Sequence, residues 1–278
     1  MVNSLHDLHT HSTASDGTLS PEALVMRAHQ AGVRTLALTD HDTLDGLDAA
    51  LLAAAEWGVN LIPGVEISVS WGERTIHILG LRVEPQAPAL TAGLARLRDY
   101  RRWRAQEIGR RLAAKGISGA YEGALALSGG ERFVGRTHFA RLLVRRGYAS
   151  TVRDVFKHYL VKGKPGHVSG DWASLEEALA WIREAGGQAV IAHPARYGFT
   201  AAKMRRLIGE FRELGGLGIE VVSGSHSRDE ACVYAQRARE SSLLASAGSD
   251  YHGPEHPYLE LGHLPRLPPG CTPIWADW

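Results

Sequence analysis

The stretch Asp7-Leu8-His9-Thr10-His11-Ser12 sets two histidines two positions apart at the end of a short apolar run. Residues i and i+2 of a β-strand point to the same face, so a strand here would present both imidazoles on one side. Neutral imidazole binds zinc, manganese and iron alike, which makes the pair a candidate metal site. An isolated His-x-His pair is more often two solvated histidines, so the rest of the chain must distinguish the two interpretations.

Composition bounds the class of protein. The chain has 278 residues, of which 44% are hydrophobic and 22% charged, enough for one large domain or one domain with an insert. Lys and Arg (31) balance Asp and Glu (30), which argues against a general basic surface for duplex nucleic acid. Two cysteines outside any C-x-x-C pair argue against a disulfide scaffold or a thiolate zinc site, whereas 14 histidines favour nitrogen and oxygen ligands.

Targeting signals are not evident in the sequence. The start, Met1 to Asp7, has neither the basic nor the apolar region of a secretory signal. No uncharged apolar run approaches the ~20 residues of a membrane span. We therefore expect a cytoplasmic protein that does not enter a membrane, and nothing in the sequence implies a stable protein partner.

Short apolar strands alternate with helices in both end regions of the chain. This alternation predicts an α/β fold with a parallel sheet or barrel. The expected strands are 5–9, 35–39, 60–69, 75–81, 188–192, 218–222 and 243–245, and the expected helices are 20–32, 44–57, 175–185, 201–214 and 228–240.

The middle of the chain has a different character. A long arginine-rich helix is predicted over 90–114, and no clear strand follows before about residue 168. Such a run of arginines is typical of a solvated amphipathic face. We predict a barrel domain formed by 1–88 and 166–278, with a helical insert domain at 89–165 that forms part of the substrate pocket.

Ligand-type residues follow nearly every predicted strand. In an α/β barrel the carboxyl ends of the strands converge on one mouth, where active sites lie. Any one such residue alone would usually be structural, but their convergence predicts a metal centre for zinc, manganese or iron. The ligand-type residues are too many for one ion and enough for two or three, and Glu66 is able to bridge two ions. Two ions ~3.5–4 Å apart can clamp the attacking and leaving oxygens of a phosphoester displacement. These residues are His9, His11, His41, Glu66, His193, Asp250 and His252, with His77 inside its strand.

Two further acids, Asp7 and Asp40, stand beside ligand-type histidines. They are candidates either for fixing an imidazole tautomer through a hydrogen bond or for a purely structural role. The sequence does not choose between these roles.

Motifs in order along nearly the whole chain resemble the PHP (polymerase and histidinol phosphatase) family of the amidohydrolase superfamily. They are Asp7-Leu8-His9-Thr10-His11-Ser12, Thr39-Asp40-His41-Asp42, Gly64-Val65-Glu66, His193-Pro194 and Gly248-Ser249-Asp250-Tyr251-His252. The resemblance implies a distorted (β/α)₇ barrel and a trinuclear metal centre. It implies one metal on His9, His11, Glu66 and Asp250, a second on Glu66, His77 and His193, and a third on Asp16, His41 and His252. Many members carry histidine at the Asp16 position, so occupancy of the third site is the open point. Manganese is the expected metal, with zinc or iron as alternatives.

The insert is similar to the family branch that contains 3′,5′-nucleoside bisphosphate phosphatases and 5′-3′ exoribonucleases. The stretches that carry this resemblance are Gly135–Arg141, Tyr159–Gly166 and Ser223–Ser227. A second phosphate needs its own cationic pocket, which Arg136 and Lys164 would supply. Ser223, Ser225 and His226 are expected to contact phosphate or ribose, and His138 either contacts substrate or packs in its helix. His226 is also a candidate acid for the leaving group.

Residues and resemblance together predict a metal-dependent phosphoesterase. It would remove the 3′-phosphate of 3′,5′-bisphosphonucleosides such as adenosine 3′,5′-bisphosphate, through a metal-bridging hydroxide held by Glu66, Asp250 and His193. On short 5′-phosphorylated RNA the same step would act as a 5′-3′ exonuclease. One alternative is a histidinol-phosphate-type phosphomonoesterase, and another is a non-catalytic metal-binding PHP module.

Overall fold

Seven strands form one sheet in which the strand order follows the chain. The computed structural model describes residues 5–128, 133–255 and 259–278, so parts of the predicted domain ranges (1–4, 129–132 and 256–258) lie outside the described residues. The strands are β1 (His6–Asp7), β2 (Thr35–Leu38), β3 (Asn60–Trp71), β4 (Arg74–Leu81), β5 (Gln188–Ile191), β6 (Gly218–Ser223) and β7 (Leu244–Gly248).

The two ends of the sheet meet and nearly close a barrel. Leu8 N donates to Ala247 O at 3.0 Å, and Asp250 N donates to His9 O at 2.9 Å. An isolated parallel bridge between Thr10 and Tyr251 extends the seam. The predicted seven-stranded α/β barrel is confirmed.

Helices cover the barrel, and several of them begin at side-chain caps. Ser20 accepts a hydrogen bond from Ala23 N, with Pro21 at the first helical position, and Ser227 forms a capping box with Glu230. The helices are α1 (Pro21–Gln30), α2 (Leu47–Trp57), α3 (Pro88–Ala113), α4 (Ala120–Leu127), α5 (Arg136–Arg145), α6 (Val152–Val155), α7 (Leu175–Glu184), α8 (Ala201–Glu213) and α9 (Arg228–Glu240). A π-helical turn follows at Phe156–Leu160 and a 3₁₀ turn at Pro194–Tyr197.

One strand departs from the expected parallel arrangement. β4 pairs antiparallel with both β3 and β5. The reason is the connection, because Trp71 pairs with Arg74 and only Gly72 and Glu73 lie between them. A loop this short makes a hairpin, whereas a parallel pair needs a crossover of a dozen or more residues. β4 therefore starts at the barrel mouth, which places His77 there although it lies within its strand.

The helices between β4 and β5 have a hydrophobic cluster of their own. Ile108 and Leu112 of α3 join Phe139 and Leu143 of α5 in it, whereas Leu90 at the start of α3 packs in the barrel core. The described residues between Leu81 and Gln188 contain no strand. The domain boundaries themselves stay a prediction. Over the described ranges, no helix is long and apolar enough to cross a membrane.

Candidate metal centre and substrate pocket

The predicted ligands come together at one mouth of the barrel. His9 and His11 follow β1, Asp16 lies in the next loop, His41 follows β2, Glu66 and His77 lie in β3 and β4, His193 follows β5, and Asp250 and His252 follow β7. Buried and half-buried imidazoles face buried carboxylates throughout this cluster. Residues spread over most of the chain therefore share one cavity.

Glu66 is the hub of the cluster, and its two oxygens face different imidazoles. Oε1 lies 2.7 Å from His77 Nδ1 and 2.9 Å from His193 Nε2. Oε2 lies 3.3 Å from His9 Nε2, 3.2 Å from His11 Nε2 and 3.0 Å from His41 Nδ1. A carboxylate with each oxygen among a separate set of ring nitrogens has the arrangement needed to bridge two cations.

The donor atoms fall into three overlapping groups, each with its atoms within 4.8 Å of one another. The first is His9, His11, Glu66 and Asp250, the second is His11, Asp16, His41 and His252, and the third is His41, Glu66 and His77. His193 Nε2 joins the third group at 3.3 Å from His77 Nδ1. The groups resemble the sets implied by the family resemblance, with His11 added to the one around Asp16 and His41 added to the one that contains Glu66 and His77.

Several buried donor atoms in this cluster have no hydrogen-bond partner among the described residues. They include Asp16 Oδ1, His41 Nδ1 and Glu66 Oε2. Burial by itself would raise the pKa of Glu66, Asp16 and Asp250, yet the surrounding imidazoles hold each pKa well below its usual value. Ionised, unpaired oxygens beside imidazole nitrogens are costly to bury without a counter-charge. Divalent cations with nitrogen and oxygen preferences fit this donor set.

Glu220 contacts two of the candidate ligands, His9 and His193, and was not predicted from the sequence. Its Oε1 lies 2.9 Å from His9 Nδ1, and its other oxygen accepts the backbone N–H of His193. With Nδ1 donating to Glu220, the ring of His9 presents Nε2 to Glu66. The presence of one charged residue inside the buried strand β6 could have indicated Glu220 as a functional residue. Asp7 and Asp40 instead accept backbone hydrogen bonds from Ser249 (2.7 Å) and Ser12 (2.8 Å), which indicates the structural role.

The cluster opens into a cavity of about 190 Å³ between the barrel mouth and the inserted helices. Its wall on the insert side is cationic and aromatic. The residues of that wall include Arg101, Arg104, Phe133, Gly135, Arg136, Thr137, Phe156 and Trp172, and Arg196 lies on the barrel side. The solvated face predicted for α3 holds for Arg102 and Arg110, but it is wrong for Arg101 and Arg104, which α3 turns into the cavity.

The arginines of this wall differ in how fully they are bonded. Arg101 Nε donates to Asp42 Oδ2 at 2.6 Å, and its guanidinium lies between the rings of Phe133 and Trp172. Arg104 donates twice to Val168 O, and burial together with its arginine neighbours lowers its pKa to about 9. Both are therefore held by protein groups.

Arg136 is the exception. Its guanidinium lies over the Phe156 ring at 5.5 Å, and it has no hydrogen bond or ion pair with any other residue in the described ranges. Burial and the charge of Arg101 lower the pKa of Arg136. It stands at the first position of α5, where free backbone N–H groups also favour negative charge. This corner of the cavity is suited to an anion.

Arg196 contacts the cluster directly. It follows His193 in the 3₁₀ turn, and its Nη1 donates to Asp250 Oδ2 at 2.5 Å. Sequence reasoning did not single it out, because nothing in the motif His193-Pro194 shows that the following turn points back to the mouth.

The remaining predicted substrate contacts lie outside the cavity lining. His138 is buried, its Nδ1 accepts from Gly135 N at 3.1 Å, and burial lowers its pKa to about 4. Lys164 is exposed, and Ser223 Oγ lies 3.3 Å from Ser225 Oγ. His226 Nδ1 lies 3.1 Å from Val221 O and its ring stacks on Tyr234. Their contacts with substrate stay predictions.

A barrel of this form, with histidines and carboxylates collected at one mouth, is the architecture of the PHP domain, and the model of that family matches residues 7–190. The chain belongs to the PHP family, as its motifs indicated. It is 49% identical over 271 residues to the 3′,5′-nucleoside bisphosphate phosphatase of Chromobacterium violaceum, covering 98% of this chain and 95% of that protein. It is 45% identical over 276 residues to the 5′-3′ exoribonuclease Rnm of Escherichia coli, covering 99% and 94%.

Two solved structures are also similar. A Chromobacterium violaceum amidohydrolase with bound sulfate and no metal superposes with a TM-score of 0.94 at 48% identity, covering 98% of this chain and 95% of that one. A Bifidobacterium adolescentis protein assigned to the metal-dependent phosphoesterases superposes with a TM-score of 0.81 at 28% identity, covering 98% and 93%.

Proposed function

We propose that the protein is a metal-dependent phosphoesterase that removes the 3′-phosphate of 3′,5′-bisphosphonucleosides. The observation that carries this proposal is a single cavity with the histidine–carboxylate cluster on one wall and, on another, Arg136, which is unpaired among the described residues. Such a cavity has a place for two phosphates of one molecule. The similarity to a bisphosphate phosphatase and to 5′-3′ exoribonucleases supports the same substrate class.

The metals would be held by the three donor groups, two of which share Glu66. When bound, they supply an acidified water and neutralise charge on the phosphoryl oxygens. Manganese as the native metal and a cytoplasmic location stay predictions.

Two arginines of the protein would position the two phosphates of the substrate. Arg136, with the first turn of α5, would bind the 5′-phosphate through a fork of N–H donors. Arg196 stands beside Asp250 and would contact the 3′-phosphate. The Phe156 ring, which lies against the Arg136 guanidinium, would help to orient it for this contact.

The reaction that this arrangement supports is a displacement at the 3′ phosphorus. Water adds to phosphorus, the bond from phosphorus to O3′ breaks, and O3′ takes up a proton. The products are a 5′-nucleotide and inorganic phosphate. On short RNA the same bond cleavage releases one 5′-mononucleotide and leaves a new 5′-phosphate on the shortened strand. His226 does not line the cavity, so we assign no general acid.

We further propose that residues 89–165 act as an insert domain whose function is to supply the cationic wall. Arg101, Arg104, Phe133, Arg136 and Phe156 all come from this stretch. The barrel would then supply the chemistry and the insert the selection of substrates that carry a second phosphate.

The test is a comparison of matched substrates with Mn²⁺ present. We expect kcat/KM for adenosine 3′,5′-bisphosphate to exceed that for adenosine 3′-monophosphate at least tenfold, from the ~1.5–3 kcal/mol of a charged hydrogen bond. A 5′-phosphorylated dinucleotide should likewise be preferred to its 5′-hydroxyl form. Equal rates would favour a histidinol-phosphate-type monoesterase instead, and no turnover at all would favour a non-catalytic module.

A further inference from the structure

One contact joins the inserted helices directly to the metal-ligand cluster. Thr137 Oγ1 donates to Asp16 Oδ2 at 3.0 Å, across 121 positions of sequence. Thr137 is the second residue of α5, immediately after Arg136. The same helical turn therefore carries Arg136, the cation of the anion-binding corner, and Thr137, whose hydroxyl binds a candidate metal ligand.

The hydrogen bond fixes which oxygen of Asp16 faces the cluster. With Oδ2 taken by Thr137, Oδ1 lies 3.3 Å from His252 Nε2 and 4.0 Å from His41 Nε2. Oδ1 is buried and has no hydrogen-bond partner among the described residues. The carboxylate is thus oriented to offer one oxygen, and a one-oxygen ligand is the closest substitute that an acid can make for a histidine.

We propose that Thr137 is a positioning residue that holds Asp16 as a one-oxygen metal ligand and couples that metal site to the phosphate-binding corner at Arg136. The inference rests on the proposed function, because it takes Asp16 as a ligand and Arg136 as a phosphate contact. Residues 136 and 137 belong to one rigid turn, so a phosphate that draws this turn toward the mouth also fixes the hydroxyl against Asp16. Coupling of this kind is reciprocal: each ligand strengthens binding of the other by the same factor.

The first experiment measures metal affinity without catalysis. Thr137→Val removes the hydroxyl but keeps the shape, and Thr137→Ser restores the hydroxyl. Thr91→Val is a matched change on α3 outside the cavity, where the hydroxyl bonds, among the described residues, only Ala87 O and Pro88 O at the start of that helix. Apoprotein is titrated with Mn²⁺ from a metal buffer and free Mn²⁺ is followed by electron paramagnetic resonance. We expect the weakest site of Thr137→Val to bind Mn²⁺ about tenfold less tightly, the usual effect of losing a hydrogen bond to a ligand. Thr137→Ser and Thr91→Val should match the wild type.

The second experiment tests the coupling. The same titration is repeated with adenosine 5′-monophosphate, which carries the 5′-phosphate, and with adenosine, which does not. In the wild type the nucleotide should tighten the weakest Mn²⁺ site by about fivefold or more, the lower end of common coupling energies, and adenosine should not. In Thr137→Val this factor should fall to near one.

The outcomes separate this inference from the proposed function. If Asp16→Ala lowers Mn²⁺ stoichiometry by one but Thr137→Val binds Mn²⁺ and couples as the wild type does, the role of Thr137 is refuted and the metal assignment stands. If Asp16→Ala leaves the stoichiometry unchanged, the assignment of Asp16 as a ligand is wrong and this inference falls with it. If Thr137→Ser behaves like Thr137→Val, the role of the hydroxyl is also refuted.

Discussion

Replacing Arg136 by methionine should separate recognition of the second phosphate from the chemistry at the metals. Methionine keeps an unbranched stem that can lie on the Phe156 ring, where the guanidinium lies now at 5.5 Å. It removes a cation whose pKa is already lowered by burial and by Arg101. No described residue loses an ion pair in this change, so we expect the Tm not to fall.

The size of the effect follows from the contact that is lost. A hydrogen bond to a charged group contributes about 1.5–3 kcal/mol. At roughly 1.4 kcal/mol for each factor of ten, kcat/KM for adenosine 3′,5′-bisphosphate should drop by roughly 10- to 150-fold. A substrate whose only phosphate is the one hydrolysed would place no second phosphate in this corner. Hydrolysis of 4-nitrophenyl phosphate should therefore stay within about twofold of the wild type, since the expected loss of binding is close to zero.

The assay compares both substrates on Arg136→Met, on the wild type and on Arg110→Met. Arg110 lies on α3 with 70% of its side chain exposed and, within the described part of the chain, pairs only with Glu107, which makes it a matched control for loss of one arginine. An equal fall on the bisphosphate and on the aryl phosphate would show that Arg136 supports the reaction centre and not a second phosphate. An unchanged bisphosphate rate would remove it from substrate recognition altogether.

Three further changes test the cluster and its surroundings. Glu66→Gln should lose metal and all measurable turnover, because both carboxylate oxygens face imidazoles; full metal content by plasma mass spectrometry would contradict the bridging assignment. Glu220→Gln should weaken metal binding by about 10- to 100-fold in chelator competition, since the neutral amide holds the His9 ring less firmly, and wild-type affinity would show that the contact is not needed. His138→Asn should make the free energy of unfolding less sensitive to acid. The pKa of His138 in the folded protein, about 4, lies below the ordinary 6.5, so the unfolded chain takes up the proton first as pH falls. The wild type therefore loses stability below about pH 6.5. Between pH 7.5 and 5 the wild type should lose about 2 kcal/mol more than the variant in urea unfolding, and parallel losses would refute the assignment.

The metal cluster was predictable from sequence because of how parallel strands end. A ligand placed just after an apolar run must reach the mouth if the run is a barrel strand. This is why His9, His41, His193 and Asp250 were found from spacing alone. His77 was noted inside its strand and grouped with Glu66 and His193 only through the family resemblance, and its place at the mouth depends on a strand direction that the alternation pattern alone predicted wrongly.

Apart from Arg136, the cationic wall was less predictable, because it is made by helix faces and not by strand ends. Seven arginines on one long helix give no indication of which two turn inward until the helix is seen against Trp172 and Phe133. Arg101 and Arg104 are three positions apart and so share a face, but other pairs on the helix do too. Glu220 was missed because it lies inside its strand, between Ile219 and Val221, and not at a strand end.

The backbone at the mouth is conformationally costly, and the rest of the barrel makes that cost tolerable. His193, Asp250 and Asp42 all take positive φ angles (27°, 58° and 51°), which non-glycine residues rarely adopt. Such residues persist where surrounding contacts over-determine them, at about 1–3 kcal/mol each. The contacts are present: Glu220 accepts from His193 N, Asp250 N bonds His9 O across the barrel seam, and Asp42 holds Arg101. Each strained residue is therefore fixed by a group that itself belongs to the cluster or the cationic wall, so the contacts that hold these backbone conformations also hold the candidate ligands and Arg101 in place.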